Sequence, residues 1–320
     1  MTTHMNHFAM VFPGQGSQSI GMLSELAKSF SQVSQLFEQA SDLLKYDLWQ
    51  LVQTGPEDKL NTTSFTQPAM LVADMACYRV WQEVASLSPN YFAGHSLGEY
   101  SALVAAGVLE FADALLLVKA RGEYMQAACE PGVGAMAAVL GAENELILAC
   151  CKEVTEAHPD WVVQPANYNA IGQTVIAGHK IAVEKVIESL KAQGVKRAIL
   201  LPVSVPSHCL LMQPAAEKLA LDFKTVHFST PRIPVIHNVD VLMHQEASEI
   251  QQALLAQIYQ PVQWVKTIEY FASQQINQII EAGPGKVLSG LIKRINNSIT
   301  TVCIDTPKSL DEAMNLCKSI

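Results

Sequence analysis

Residues 93–107 read AGHSLGEYSALVAAG, an extended apolar run that gives way to a helical one with no room for a loop. Only a sharp turn joins the two, and Gly94, Ser96 and Gly98 supply it in the pattern G-x-S-x-G. Such a turn lifts a serine oxygen clear of the backbone at the carboxyl end of a strand. The N–H of Leu97 then stands at a helix start, without an intrahelical partner and pointing where an oxyanion would form. A chance match within a glycine-containing turn is the bland alternative. The flanking segments, strand-like before and helix-like after, favour a nucleophile.

The rest of the chain supplies the frame that such a turn needs. His7–Phe12 reads as a buried first strand, stopped by Pro13-Gly14 and the loop GQGSQ. Residues 24–53 and 66–86 read as mostly helical, as does 111–125, where Ala114, Leu117, Val118 and Met125 share one face. From Gly134 the order becomes strand, helix, strand, strand, helix, strand (134–141, 143–157, 161–168, 173–178, 180–193, 196–203), a β-α-β-β-α-β pattern. Alternation then resumes with strands at 232–239 and 278–283 and helices at 249–257, 265–273 and 287–294. We expect an α/β fold with a mainly parallel, hydrolase-like sheet flanked by helices. The expected boundaries are 1–131 and 205–320 for a large catalytic domain and 132–204 for an inserted ferredoxin-like domain.

Composition narrows the function. At 49% apolar and 16% charged the chain has enough material for a large core. Its net charge of -9 argues against nucleic-acid binding. Seven scattered cysteines with no C-x-x-C suit reduced thiols rather than a zinc site. Without a secretory leader pattern or an apolar run of about 18 residues, a cytoplasmic protein away from the membrane is expected.

A serine hydroxyl needs a base, most often histidine. His95 is adjacent to Ser96 but points to the other side of the strand end. His4, His7, His158, His179, His227 and His244 read as surface or packing residues. His208 in SVPSH and His237 in PVIHN both follow strand-like runs, where catalytic groups of parallel sheets collect, and composition does not separate them. Arg121 shares a helix face with Leu117 and Met125. A guanidinium on an apolar stripe is costly unless it meets an anion, pairs internally or snorkels to water. If it faces Ser96, the substrate should carry a carboxylate.

VFPGQGSQ (11–18), TQPA (66–69), GHSLGEYSALVAAG (94–107), KARGEYM (119–125), GAMAAVLG (134–141), PVSVPSH (202–208), QPVQW (260–264) and EAGPGKVL (281–288) together resemble the malonyl-CoA:acyl carrier protein transacylases of fatty acid synthesis. The resemblance runs over nearly the whole chain, in order. It implies Ser96 as nucleophile, His208 as base, Arg121 as the holder of the malonyl carboxylate, and the backbone N–H groups of Gln15 and Leu97 as the oxyanion hole. It further implies that the main-chain carbonyl of Gln263 orients the histidine and that Asn169 lines the pocket. Malonyl-CoA and a phosphopantetheinyl acyl carrier protein would be substrates, with no cofactor and no metal, and the enzyme would act as a monomer in the cytoplasm. A serine hydrolase would share Ser96 and His208 but gives no reason for Arg121. A non-catalytic acyl-carrier-binding protein would form no covalent adduct.

Overall fold

The computed structural model describes residues 7–318 except 86 and 204. His4 and the outer limits 1, 204 and 320 of the expected domains lie outside the described residues. Nine strands are present among the described residues: β1 (Phe8–Phe12), β2 (Tyr91–Gly94), β3 (Gly134–Leu140), β4 (Val163–Ala170), β5 (Gln173–His179), β6 (Arg197–Leu200), β7 (Val235–Ile236), β8 (Gln278–Glu281) and β9 (Thr300–Cys303).

Five of them form one parallel sheet in the order β7-β2-β1-β8-β9. β1 lies at its centre and all five of its residues are buried. Because strand side chains alternate in direction, Phe8, Met10 and Phe12 enter the larger core, packed against helices such as Thr63–Val84. Ala9 and Val11 enter the opposite core with Trp264, Ile268 and Phe271. Covered on both faces, the central strand reads as an unbroken apolar run, as a parallel strand does. The chain runs from β1 outward to β2 on one side and returns to β8 on the other, so a crevice opens beyond the carboxyl ends of β1 and β2. Ligands of open parallel sheets bind at such a reversal.

The remaining four strands form an antiparallel sheet in the order β4-β5-β3-β6. Helices Asn144–Ala157 and Lys180–Ala192 cover one face with Ile147, Cys150, Val183 and Val186. The other face presents Met136, Ala166, Val175 and Ala177, packed with Cys209 just after the expected base. Hydrogen bonds from Tyr168 N to Val262 O and from Val262 N to Ala166 O tie β4 to the segment that follows helix Ala247–Tyr259. Two register shifts in β4, at 165/167 and 168/170, re-aim its side chains beside this junction.

Several elements differ from expectation. The strands expected over 196–203 and 232–239 shrink to β6 and to the two residues of β7, because Pro202, Pro206 and Pro234 restrict the chain around them. β9 and the helices Gln213–Phe223 and Pro307–Lys318 were not anticipated. The first of these helices carries Pro214 in its opening turn, a start signal in the sequence itself.

Candidate active site

Ser96 sits where β2 turns into helix Gly98–Ala105, and its φ of 52° places it in the left-handed region. A non-glycine residue there is strained, and the two flanking glycines show what holds it. A Cβ on Gly94 would stand 1.9 Å from the Gly98 carbonyl carbon, and one on Gly98 would stand 2.0 Å from Phe12 O. The turn can close against itself and against β1 only because both positions lack side chains. His95 N donates to Phe12 O at 3.0 Å and completes the seam.

Ser96 Oγ lies 2.8 Å from His208 Nε2. On the other side of the ring, His208 Nδ1 donates to a main-chain carbonyl at 2.6 Å, and that carbonyl belongs to Gln257. The assignment to Gln263 is therefore corrected. Gln263 O serves helix Trp264–Ser273 instead, accepting from Thr267 N at 3.0 Å and Thr267 Oγ1 at 3.1 Å. Gln257 lies near the end of its helix, and the residue four places on is Pro261, which has no N–H to give. Its carbonyl is consequently free for the histidine, and the sequence QIYQP carries that signal. With the Nδ1 proton committed to Gln257 O, Nε2 is left as the acceptor facing the serine.

His208 is 3% exposed, and burial first, then the Arg121 charge, lower its pKa to about 3. The ring is thus neutral at physiological pH. His237 is buried behind the turn and bonds Glu99 Oε1 at 2.7 Å through Nδ1. Of the two histidines left open by composition, His208 reaches Ser96 Oγ and His237 bonds Glu99 instead. His95 turns away from Ser96 toward Asn169 Oδ1, at 2.8 Å, and against the edge of Trp264.

Arg121 neither snorkels nor pairs with an acid. It is 1% exposed on helix Phe111–Ala127 and directs its guanidinium at the serine. NH1 donates to Gln67 Oε1 at 2.8 Å; NH2 donates to Gln257 Oε1 at 2.9 Å and to Ser96 Oγ at 3.2 Å. All three partners are neutral, and Nε has no partner among the described residues. Desolvation lowers the pKa of the group from its ordinary value.

Ser96, His208, Arg121, Gln15, Leu97 and Asn169 all border one cavity of about 260 Å³, so six of the seven expected site residues meet there. Gln15 N and Leu97 N have no backbone acceptor among the described residues. The loop bearing Gln15 lies close to Leu97 N: a Cβ on Gly14 would be 3.7 Å from it. Gln67, Asn167, Asn238, Gln257 and Glu99 were not singled out from the sequence, although Gln67 stands inside TQPA. Among the described residues no cluster of His, Cys, Asp and Glu could hold a metal ion.

A nucleophile turn, a neutral histidine and an unpaired buried cation around one cavity suit acyl transfer from a substrate with an anionic acyl group. A family model described as an acyl transferase domain matches residues 9–302. The chain belongs to this acyl transferase family. Among similar acyl transferases, the malonyl CoA-acyl carrier protein transacylase of Escherichia coli K12 is 51% identical over 312 residues, covering 98% of this chain and all of the relative. That of Bacillus subtilis is 41% identical, covering 98% of each. A solved complex of a type II polyketide synthase acyl carrier protein with its malonyl-transacylase superposes with a TM-score of 0.94 at 51% identity, covering 97% of this chain and 99% of that one.

Proposed function

We propose that this acyl transferase moves the malonyl group from malonyl-CoA to the phosphopantetheine thiol of acyl carrier protein through a malonyl-Ser96 intermediate. The observation that carries the reading is Arg121: a buried guanidinium contacted only by neutral groups, beside the nucleophile. A buried charge that no acid touches is costly, and the Glu99 carboxylate offsets it only from beyond the Gln257 amide. A carboxylate on the substrate removes that cost, and Arg is the side chain best shaped to hold one.

In the first half-reaction His208 Nε2 takes the Ser96 proton as Oγ attacks the thioester carbonyl. Arg121 NH2, already 3.2 Å from Oγ, stabilises the charge left on the serine. The N–H groups of Gln15 and Leu97 receive the carbonyl oxygen as it becomes an oxyanion. The tetrahedral intermediate collapses with loss of the CoA thiolate, which takes the proton from His208. In the second half-reaction His208 takes the proton of the carrier thiol, which attacks malonyl-Ser96, and Ser96 leaves with that proton. Gln257 O holds the ring throughout, in the place of a triad aspartate.

The small antiparallel sheet, residues 132–204, is read as a ferredoxin-like insert that roofs the site, with 1–131 and 205–320 as the catalytic body. Lys191, Lys196, Arg197, Lys286, Lys293 and Arg294 are exposed and supply basic docking points for an acidic carrier. The protein works as a cytoplasmic monomer without a cofactor. The test is intact-protein mass spectrometry after mixing with malonyl-CoA. A malonyl adduct is expected on the wild type and not on Ser96→Ala, and an unmodified wild type would refute the reading.

A further inference from the structure

Glu99 lies in the first turn of the helix after the nucleophile, 0% exposed, and touches neither Ser96 Oγ nor His208. Its carboxylate takes three hydrogen bonds. Oε1 accepts from His237 Nδ1 at 2.7 Å, and Oε2 accepts from Asn238 N at 3.1 Å and Gln257 Nε2 at 2.8 Å. Each route beyond Asn238 and Gln257 ends on a working group. Asn238 Oδ1 accepts from Ser96 N at 2.7 Å while its Nδ2 donates to Gly94 O at 2.7 Å, so one amide clamps both sides of the strained residue. Gln257 Nε2 also donates to Ser96 O at 2.8 Å, its Oε1 accepts from Arg121, and its carbonyl holds His208.

We propose that Glu99 is the positioning residue that sets the polarity of the Gln257 amide and thereby aims Arg121 at the acyl carboxylate. Gln257 Nε2 faces two acceptors, Glu99 Oε2 and Ser96 O. Turning the amide over would set its oxygen against both, and a buried acceptor facing acceptors is strongly disfavoured. The nitrogen is therefore held toward Glu99, and the oxygen is left facing NH2 of Arg121. A neutral group in place of the carboxylate weakens that bias, leaving Ser96 O as the one strong acceptor that holds the nitrogen. Arg121 then loses its fixed partner beside Ser96, and the discrimination for a charged acyl group falls with it. His237 lies on the far side of Glu99 and keeps the carboxylate turned toward the network.

The inference rests on the malonyl-transfer reading, so the experiment separates the two. Single-turnover acylation of Ser96 is measured with malonyl-CoA and with acetyl-CoA for the wild type, Glu99→Gln and Gln257→Met, alongside thermal melting. Gln257→Met keeps the carbonyl that holds His208 and removes only the amide. We expect malonylation to fall about 10- to 100-fold in both variants, the cost of a misaimed positioning group, and acetylation to fall much less, so that the malonyl:acetyl ratio collapses. Equal losses for the two donors, or an unchanged ratio in a variant that melts cooperatively, would overturn the proposal. If Glu99→Gln does not fold, an unmoved ratio in Gln257→Met still overturns the proposal, because Glu99 acts only through that amide. An absent wild-type malonyl adduct would count against the function itself, whereas a normal adduct with an unmoved ratio would count only against Glu99.

Discussion

Gly98→Ala adds one methyl group at the seam between the nucleophile turn and β1, and the structure gives its size. The new carbon would stand 2.0 Å from Phe12 O, 2.7 Å from Phe12 C and 2.8 Å from Pro13 O, whereas ordinary contact begins at 3.4 Å. The shortfall against Phe12 O is about 1.4 Å, and every atom in the way is backbone, so no rotamer change relieves it. The turn and β1 must move apart by most of that distance. Leu97 N lies on one side of the seam and Gln15 N, two residues past Pro13, on the other. The displacement therefore widens the proposed oxyanion hole and carries Ser96 Oγ away from His208.

A misplacement of about 1 Å at reacting groups costs on the order of 100-fold in rate, or about 2.7 kcal/mol of barrier. Overpacking of this kind costs about 1–3 kcal/mol of stability, which leaves a chain of ordinary stability folded. Rapid-quench measurement of Ser96 acylation, with a melting curve on the same sample, reads both quantities. We expect a rate loss of about 100-fold in a protein that still melts cooperatively. A rate within threefold of wild type would refute the claim that this seam sets the geometry of the site.

Arg121→Ala should abolish malonyl loading and leave or raise acetyl loading, measured by competition between the two thioesters; equal losses would remove the carboxylate clamp. His208, with its pKa lowered to about 3, should give a kcat/KM for acylation that stays flat from pH 8 to 5, and an acid limb near 6.5 would contradict this. The folded pKa is below the unfolded value of about 6.5, so the unfolded chain takes the proton first. His208 therefore costs no stability above that pH, and its cost grows as pH falls from about 6.5 toward 3, by at most about 1.4 kcal/mol per unit, read as a falling melting temperature. Gly290→Ala, in helix Val287–Ile295 with nothing within 4 Å of the added carbon, should stabilise by about 0.5–1 kcal/mol, and a lower melting temperature would show that contact to be misjudged.

The turn that carries Ser96 was legible because everything that makes it is local: two glycines, a strand before and a helix after. The proposed base was not legible from composition alone, since His208 and His237 both follow strand-like runs and only contacts across 112 and 138 positions separate them. The two histidines serve the same turn from opposite sides, one at its oxygen and one at the carboxylate behind it. Gln257 was missed although Pro261 marks its carbonyl as free, because a proline four residues on is usually read as a helix stop and no more. Glu99 hides in the same way. An acid in the first turn of a helix is an ordinary partner for the helix dipole, and nothing in the spacing says that this one is buried under Asn238 and Gln257. β9 escaped for a different reason: it is a four-residue edge strand with only Cys303 buried, whereas the helix Gln213–Phe223 buries Ala215, Ala216, Leu219 and Phe223 at helical spacing and was legible but unread.

In the proposed mechanism Arg121 links selectivity to chemistry through charge. In the free enzyme its guanidinium acts with burial to make His208 a poor proton acceptor, while its own burial leaves it uncompensated by any acid in contact. A malonyl carboxylate settled on Arg121 offsets that charge in a low-dielectric site, where the effect of one ion on another is large. The histidine then regains basicity at the moment a correct acyl group is in place. An acetyl group leaves the charge as it was, so it is held less well and also meets a weaker base. This coupling requires the acid limb of kcat for malonyl transfer to lie at higher pH than that of kcat/KM, because only the bound complex carries the offsetting carboxylate. Coincident limbs in a stopped-flow pH series would show that Arg121 selects the acyl group without influencing the base.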